Sequence, residues 1–266
     1  MIVDTHCHLD HVKLAADEAG VVGRAVQNGV RLMVTIGTKR QHWQDVMALA
    51  GRHPSVVCAL GIHPHYAAER GLDDPTELVE LAAHPLVVGI GETGLDYYYD
   101  FAPREVQAAS FRAHIEACRQ TGLPLIVHTR DADEDTITIL EDEAAKGPFT
   151  GVIHCFSTSR RMAERAVGLG LHLGIGGILT FKASDALRAI VADMPLSSLV
   201  LETDAPYLAP LPYRGKTNEP AYTALTAKAL AELLGRPVGE IEAATTANAR
   251  RLFPKAAALI DRPPCG

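Results

Sequence analysis

"GVIHCFSTSRRMAERAVGLGLHLGIG", residues 151–176, holds two short apolar runs, 151–156 and 171–176, on either side of a segment with helical spacing at 159–169. Strands joined through a helix lie parallel, because the helix carries the chain back to the edge where the first strand began. The same unit recurs outward in both directions. Apolar runs bounded by Gly, Pro or polar residues appear at 1–6 (MIVDTH), 31–37 (RLMVTIG), 56–63 (VVCALGIH), 86–92 (LVVGIGE), 123–128 (LPLIVH) and 198–204 (SLVLETD), making eight strands in all. Segments such as REVQAASFRAHIEACRQ (104–120) supply the helices between them. Near-continuous apolar strands imply a sheet covered on both faces, and eight βα repeats predict an α/β fold of the closed (β/α)8 TIM-barrel type. We expect one domain over residues 1–266, with an open α/β sheet as the competing arrangement. The segment 205–220 reads as an ordered loop after the eighth strand, and the helices at 223–235 and 239–253 as outer cover.

Composition narrows the class. With 266 residues and 47 % hydrophobic content the chain can bury a large core. No charged n-region precedes an apolar run at the start, and no window approaches the ~18 apolar residues of a membrane span. The reading is a soluble, cytoplasmic protein with no membrane contact and no evident obligate protein partner. Cysteines 7, 58, 118, 155 and 265 are widely spaced with no C-x-x-C, which signals reduced thiols rather than disulfides or a thiolate zinc site. A net charge of −7 argues against coating long nucleic acids. Local basic groups remain at Arg160 with Arg161, at Lys182, and at Arg214 with Lys216.

A barrel fixes where chemistry belongs, since polar residues at strand C-termini line the active face. In DTHCHLD (4–10), period-two alternation puts Asp4, His6 and His8 on one face and Thr5 and Cys7 on the other. Beyond the first strand, His63 and His65 end strand three, Glu92 strand four, His128 strand five, His154 strand six, and Glu202 and Asp204 strand eight. One such residue is compatible with a hydrogen-bonded core imidazole or a helix cap. Burying all of them together is electrostatically costly unless a cation is present. The set exceeds what one zinc ion uses, and two metals roughly 3.5 to 4 Å apart use it better. The remaining histidines, at 11, 42, 53, 84, 114 and 172, read as surface or structural, with His114 and His172 partly buried. Cys7 and Cys155 read as packing residues turned toward the helices.

The motifs DTHCHLD, GIHPH, GETGLDYY, IVHTRDA, IHCFS, GGILTFK, LETDAPYLAP and RGKTNEP, in this order, resemble the TatD family of metal-dependent hydrolases and deoxyribonucleases, within the amidohydrolase-like barrels. The resemblance runs from the first strand to NARRLF at 248–253. It implies a divalent-metal site on His6, His8, Glu92, His128, His154 and Asp204, all six of them among the residues that strand ends select. It departs at Thr217, where the family's loop often carries another basic residue.

The resulting expectation is hydrolysis by a metal-activated hydroxide. His6 and His8 hold one ion, His128 and His154 a second, and Glu92 bridges or leans between them. Asp204 binds metal and accepts the proton of the attacking water, so Asp204 and Glu92 are the catalytic residues. The ions are two divalent cations drawn from Zn, Mn, Mg, Ni or Co. His63 is placed on the phosphate or the leaving oxygen, or in a hydrogen bond to a metal ligand. Lys182, Arg104, Arg214 and Lys216 are candidates for phosphate oxygens, and the tyrosines at 97–99 for stacking a base. The expected substrate is the end of a DNA strand or oligonucleotide, cleaved by 3′ to 5′ exodeoxyribonuclease action. A barrel hydrolase of amide, lactone or ester bonds is the alternative, and a non-catalytic metal-binding protein is a second one.

Overall fold

A computed structural model describes residues 1–99 and 101–262. Eight strands form in the expected places: β1 (Ile2–Cys7), β2 (Val30–Gly37), β3 (Val56–Leu60), β4 (Val87–Asp96), β5 (Leu125–Arg130), β6 (Gly151–Ile153), β7 (His172–Ile175) and β8 (Leu199–Leu201). They pair in parallel in sequence order, with helices between them, which is the α/β barrel expected rather than an open sheet. The two sheet edges meet beyond β8. There Cys7 bridges Ala205 in parallel, the Asp204 amide donates to the His6 carbonyl (2.9 Å), and the His8 amide donates to the Ala205 carbonyl (2.7 Å).

Two apolar layers follow from strand alternation. Along β2, Leu32, Val34 and Ile36 face the barrel interior with Val57, Val88, Ile126, Val152 and Val200, while Met33 joins the outer layer under the helices. The helix Val238–Leu252 was expected only to cover the outside. Its C-terminal end instead sends Leu252 and Phe253 into the interior layer, because the helix crosses the N-terminal mouth: the Thr246 hydroxyl donates to the Met1 carbonyl (2.8 Å) and the Met1 amine pairs with Glu242 (2.9 Å). Chemistry is left to the other mouth. Among the described residues no helix is long and apolar enough to cross a membrane, and Cys7, Cys58, Cys118 and Cys155 are free thiols. Cys265 lies outside the described residues.

His114 on the helix Arg104–Thr121 is fully buried, beyond the partial burial expected, and acts on the loop after β3. Its Nδ1–H donates to the Ser110 carbonyl (2.7 Å) and its Nε2 accepts the Ile62 amide (3.0 Å), one residue before His63. The Ile62 bond needs the neutral ring, and burial pulls its pKa down from 6.5 to about 4 although the Ser110 bond favours the protonated form. The unfolded chain therefore binds the extra proton first: stability is full above pH 6.5 and declines as pH falls toward 4, by up to ~3 kcal/mol from this group. Replacing His114 by Phe should flatten that acid limb while lowering stability near neutrality by ~1–3 kcal/mol, since the Ile62 amide loses its acceptor. Urea melts of both proteins at several pH values between 4 and 7 measure this; parallel profiles for the two would refute it.

Candidate metal centre

The C-terminal mouth opens into a cavity of about 710 Å³ whose walls include His8, His63, His65, Glu92, Asp96, His128, His154 and Asp204. Glu92 does not end its strand as expected. β4 continues to Asp96, and a register shift against β5 between Ile90 and Thr93 aims Glu92 into the mouth from inside the strand. The two strands nearly touch just beyond it. Gly94 has φ +137°, and a Cβ there would collide with the His128 carbonyl, so this crossing requires glycine. His154 directly follows β6, and Asp204, in left-handed backbone (φ 56°), ends the segment after β8.

Glu92 is the hub. Its Oε1 lies 2.9 Å from His154 Nε2, 3.0 Å from His128 Nδ1 and 3.4 Å from His63 Nε2. Its Oε2 lies 3.5 Å from His6 Nε2 and 3.9 Å from His8 Nε2. Asp204 Oδ1 completes the second side, 3.3 Å from His8 Nε2 and 3.8 Å from His6 Nε2. Thus one carboxylate divides its oxygens between two groups of imidazoles.

The donor set fits a cation. His128 Nε2 reaches Asp96 Oδ2 (3.1 Å), so a neutral ring that donates there turns the lone pair of Nδ1 toward a Glu92 oxygen, acceptor against acceptor. His6 Nε2 and His8 Nε2 face one another at 3.3 Å, where one neutral ring can donate to the other. At Glu92, either His128 takes an extra proton or a cation stands between the acceptors. Ligating atoms within 4.8 Å of one another occur in three sets: His6, His8 and Glu92; His63, Glu92 and His128; and His6, His154 and Glu202. Buried His6 Nδ1, His154 Nδ1 and Glu202 Oε2 have no hydrogen-bond partner.

Electrostatics follow from burial among opposite charges. Burial alone raises a carboxyl pKa, yet His154, His63 and His128 hold Glu92 well below the ordinary value. For Asp204, burial is likewise outweighed, by the His8 bond and the charges of His154 and His6. Burial disfavours protonated His154, but Glu92 and Glu202 drive it well above 6.5, and Asp204 raises His8 in the same way. His63 goes the other way: burial dominates and lowers it well below 6.5. The carboxylates of this centre are therefore anionic at neutral pH.

Some residues lie apart from the cavity. Lys182 is exposed, Arg104 stacks on Tyr97 (3.9 Å) and Arg214 on Phe181 (4.4 Å), all outside the cavity wall; the guanidinium in that wall is Arg130, which the sequence pattern does not single out. Arg160 and Arg161 offer no free basic patch, because they pair with Asp193 (2.8 Å) and Glu134 (3.1 Å). Cys7 is packed as expected, but Cys155 lines the cavity. Alternation does not govern it, since β6 ends at Ile153 and Cys155 is left-handed (φ 48°). Asp4 is buried yet turned to Thr203, whose amide (2.9 Å) and hydroxyl (2.6 Å) donate to it. Asp96, within the motif GETGLDYY, had no expected role; it joins His128 to His65 Nε2 (2.8 Å).

Known proteins resemble this chain over nearly its whole length. The family model for TatD-related DNases matches residues 3–254. The metal-dependent hydrolase YabD of Bacillus subtilis, itself uncharacterized, is 38 % identical over 253 residues, covering 95 % of this chain and 99 % of the relative. The 3′-5′ ssDNA/RNA exonuclease TatD of Erwinia tasmaniensis is 36 % identical over 256 residues, covering 94 % and 98 %. The crystal structure of YjjV, a TatD homologue from Escherichia coli, superposes with a TM-score of 0.88 at 32 % identity, covering 95 % and 98 %.

A cation that relieves the crowding around Glu92 must stabilise the fold, by about 2.7 kcal/mol at a hundred times its dissociation constant. Adding Mn²⁺ or Zn²⁺ to chelator-treated protein should raise Tm by several degrees, and Glu92→Ala should lose most of that rise. A parent Tm that ignores the ion, or a Glu92→Ala Tm that rises as much as the parent's, would refute the assignment of a metal centre.

Proposed function

Because this chain belongs to the TatD-related DNase family, whose model spans nearly its whole length, we propose that it is a metal-dependent phosphodiesterase that removes nucleotides from the 3′ ends of single-stranded nucleic acid. The observation that carries this reading is the division of the Glu92 oxygens between His6 and His8 on one side and His63, His128 and His154 on the other. Two divalent ions fit that division. His6, His8 and Asp204 would hold one, and His128 with His154 or His63 the other, Glu92 serving both. Bound there, the pair supplies Lewis acidity to a phosphoryl oxygen and acidifies water.

The chain's own groups do the rest. Asp204, anionic and within 3.8 Å of both His6 and His8, accepts the proton of the attacking water at Oδ1 or Oδ2. Glu92 keeps its charge between the imidazoles and sets their spacing. Asp96 orients His128 through Nε2, and Glu202, 3.7 Å from His154 Nδ1, faces the rear of that ring. His63, which burial keeps neutral, lies on the Oε1 side, where it either ligates or meets the leaving oxygen. The similarity to an Erwinia protein named as a 3′-5′ ssDNA/RNA exonuclease supports strand ends as substrate.

The test is release of mononucleotides from a 5′-labelled single strand after stripping and refilling with Zn²⁺, Mn²⁺, Mg²⁺, Ni²⁺ or Co²⁺. A ladder shortening from the 3′ end is expected; turnover of a lactone or amide panel without nucleotide release would replace this reading with the carbonyl-hydrolase one. Asp204→Asn should keep most substrate affinity and much of the metal, yet lower kcat by about 10²- to 10⁴-fold, because an amide cannot take the proton. An Asp204→Asn enzyme within a few-fold of the parent would remove Asp204 from that role.

A further inference from the structure

Away from the active mouth, many arginines pair with carboxylates, Arg52 with Glu18 (2.6 Å), Arg112 with Glu143 (2.7 Å) and Arg236 with Glu240 (2.5 Å), while Arg31 and Arg251 meet neither an acid nor a ring among the described residues. At the mouth, four cations rest on aromatic faces instead. Lys39, after β2, lies 3.9 Å from the centre of the Tyr66 ring; Arg104 lies 3.9 Å from Tyr97; Arg130, ending β5, lies 3.9 Å from Tyr98 and 4.9 Å from Tyr99; Arg214, after β8, lies 4.4 Å from Phe181. Among the described residues none of the four forms an ion pair with a carboxylate, whereas Arg40, next to Lys39, pairs with Glu77. These rings and cations lie at or after the C-terminal ends of β2, β3, β4, β5, β7 and β8, on the face where the metal centre opens, with Tyr66, Tyr99 and Arg130 in the cavity wall and the others outside it.

A ring braces a cation without neutralising it, and leaves its charge available to an anion. Several rings are also open: Tyr98 is 57 % exposed, Tyr99 46 % and Phe101, stacked on Tyr99 at 5.3 Å, 62 %. Alternating cations and exposed rings match one ligand chemistry, a flexible strand with a phosphate and an unpaired base at every step. Paired duplex hides its bases and cannot use the rings. The neighbouring cavity of about 650 Å³ shares Tyr97 and Arg130 with this set but is closed to such a strand, because Asp131, Asp133, Glu134 and Asp135 line it against that one guanidinium.

The geometry points to an aromatic-braced belt, Lys39, Arg104, Arg130 and Arg214 with their rings, that holds several nucleotides of single-stranded DNA or RNA around the metal centre. This rests on the phosphodiesterase reading and extends it from the scissile bond to the strand behind it.

The test is equilibrium binding of a fluorescent, hydrolysis-resistant phosphorothioate strand to the metal-loaded enzyme over a range of salt concentrations. For single strands each phosphate contact adds about −0.7 to the slope of log K against log salt. Changing Lys39, Arg104, Arg130 or Arg214 to Met, which keeps the apolar stem, should bring the slope about 0.7 nearer zero in each case. A strand with abasic sites should keep the parent slope and bind roughly tenfold or more weakly. Slopes unmoved in the four variants, or an abasic strand bound as tightly as the parent, would overturn the belt. The two readings separate cleanly: strand binding of this kind with no nucleotide release on any metal defeats the phosphodiesterase and keeps the belt. Release from long strands and dinucleotides at one KM, unchanged in the variants, does the reverse.

Discussion

Barrel closure and site assembly are one set of hydrogen bonds. Where β1 meets the segment after β8, the Asp204 amide donates to the His6 carbonyl and the His8 amide to the Ala205 carbonyl. Asp4 adds side-chain contacts to the Thr203 amide and hydroxyl, and the Asn218 side chain donates to the Thr203 carbonyl (2.8 Å). Closing the sheet therefore sets His6, His8 and Asp204 in register. The seam lies at the mouth that holds the candidate metal centre rather than mid-barrel, so a slip there would move three candidate ligands together. Buried Asp4 bears much of this. Burial pushes its carboxyl up to about 8 although the Thr203 bonds pull it down.

From the seam inward, electrostatics set the largest cost. Glu92, Asp204 and five imidazoles share a desolvated space, where unpaired charge costs several kcal/mol per ion. Proton sharing relieves part of that, which is why burial and neighbouring carboxylates drive His154 and His63 in opposite directions. Orphaned ring nitrogens behind His6 and His154 mark what protons leave unresolved. The packing accommodates the same demand: a Cβ at Gly174 would overlap the Glu202 carboxylate, so the glycine on β7 makes room for the acid behind His154.

The sequence made the barrel and the strand-end residues legible because both depend on periodicity, which is local. All eight runs became strands, and His6, His8, His63, Glu92, His128, His154 and Asp204 converge on one mouth. What stayed hidden depends on tertiary partners or on broken periodicity. No pattern shows that Arg160 and Arg161 have acids opposite them on neighbouring elements while Arg130 has rings. The β4 shift that aims Glu92 inward leaves Asp96 to serve His65 and His128, and neither follows from alternation. Cys155 escaped the packing role for the same reason, a left-handed residue past the strand end.

A net charge of −7 and a polyanionic substrate are compatible because charge acts over about 8 Å at physiological ionic strength. Most acids of the outer helices already face arginines, so their fields cancel within that distance. The ring-braced cations at the mouth form no ion pair among the described residues, and two divalent metal ions would add four positive charges at its centre. Attraction is then confined to one opening, while acids without an ion-pair partner among the described residues, such as Asp131, Asp133 and Asp135, repel the rest of a long strand. Under the phosphodiesterase reading, a chain with this distribution would favour a free end over the middle of a duplex, since only an end can bring its phosphates to the mouth without laying others along the acidic flank.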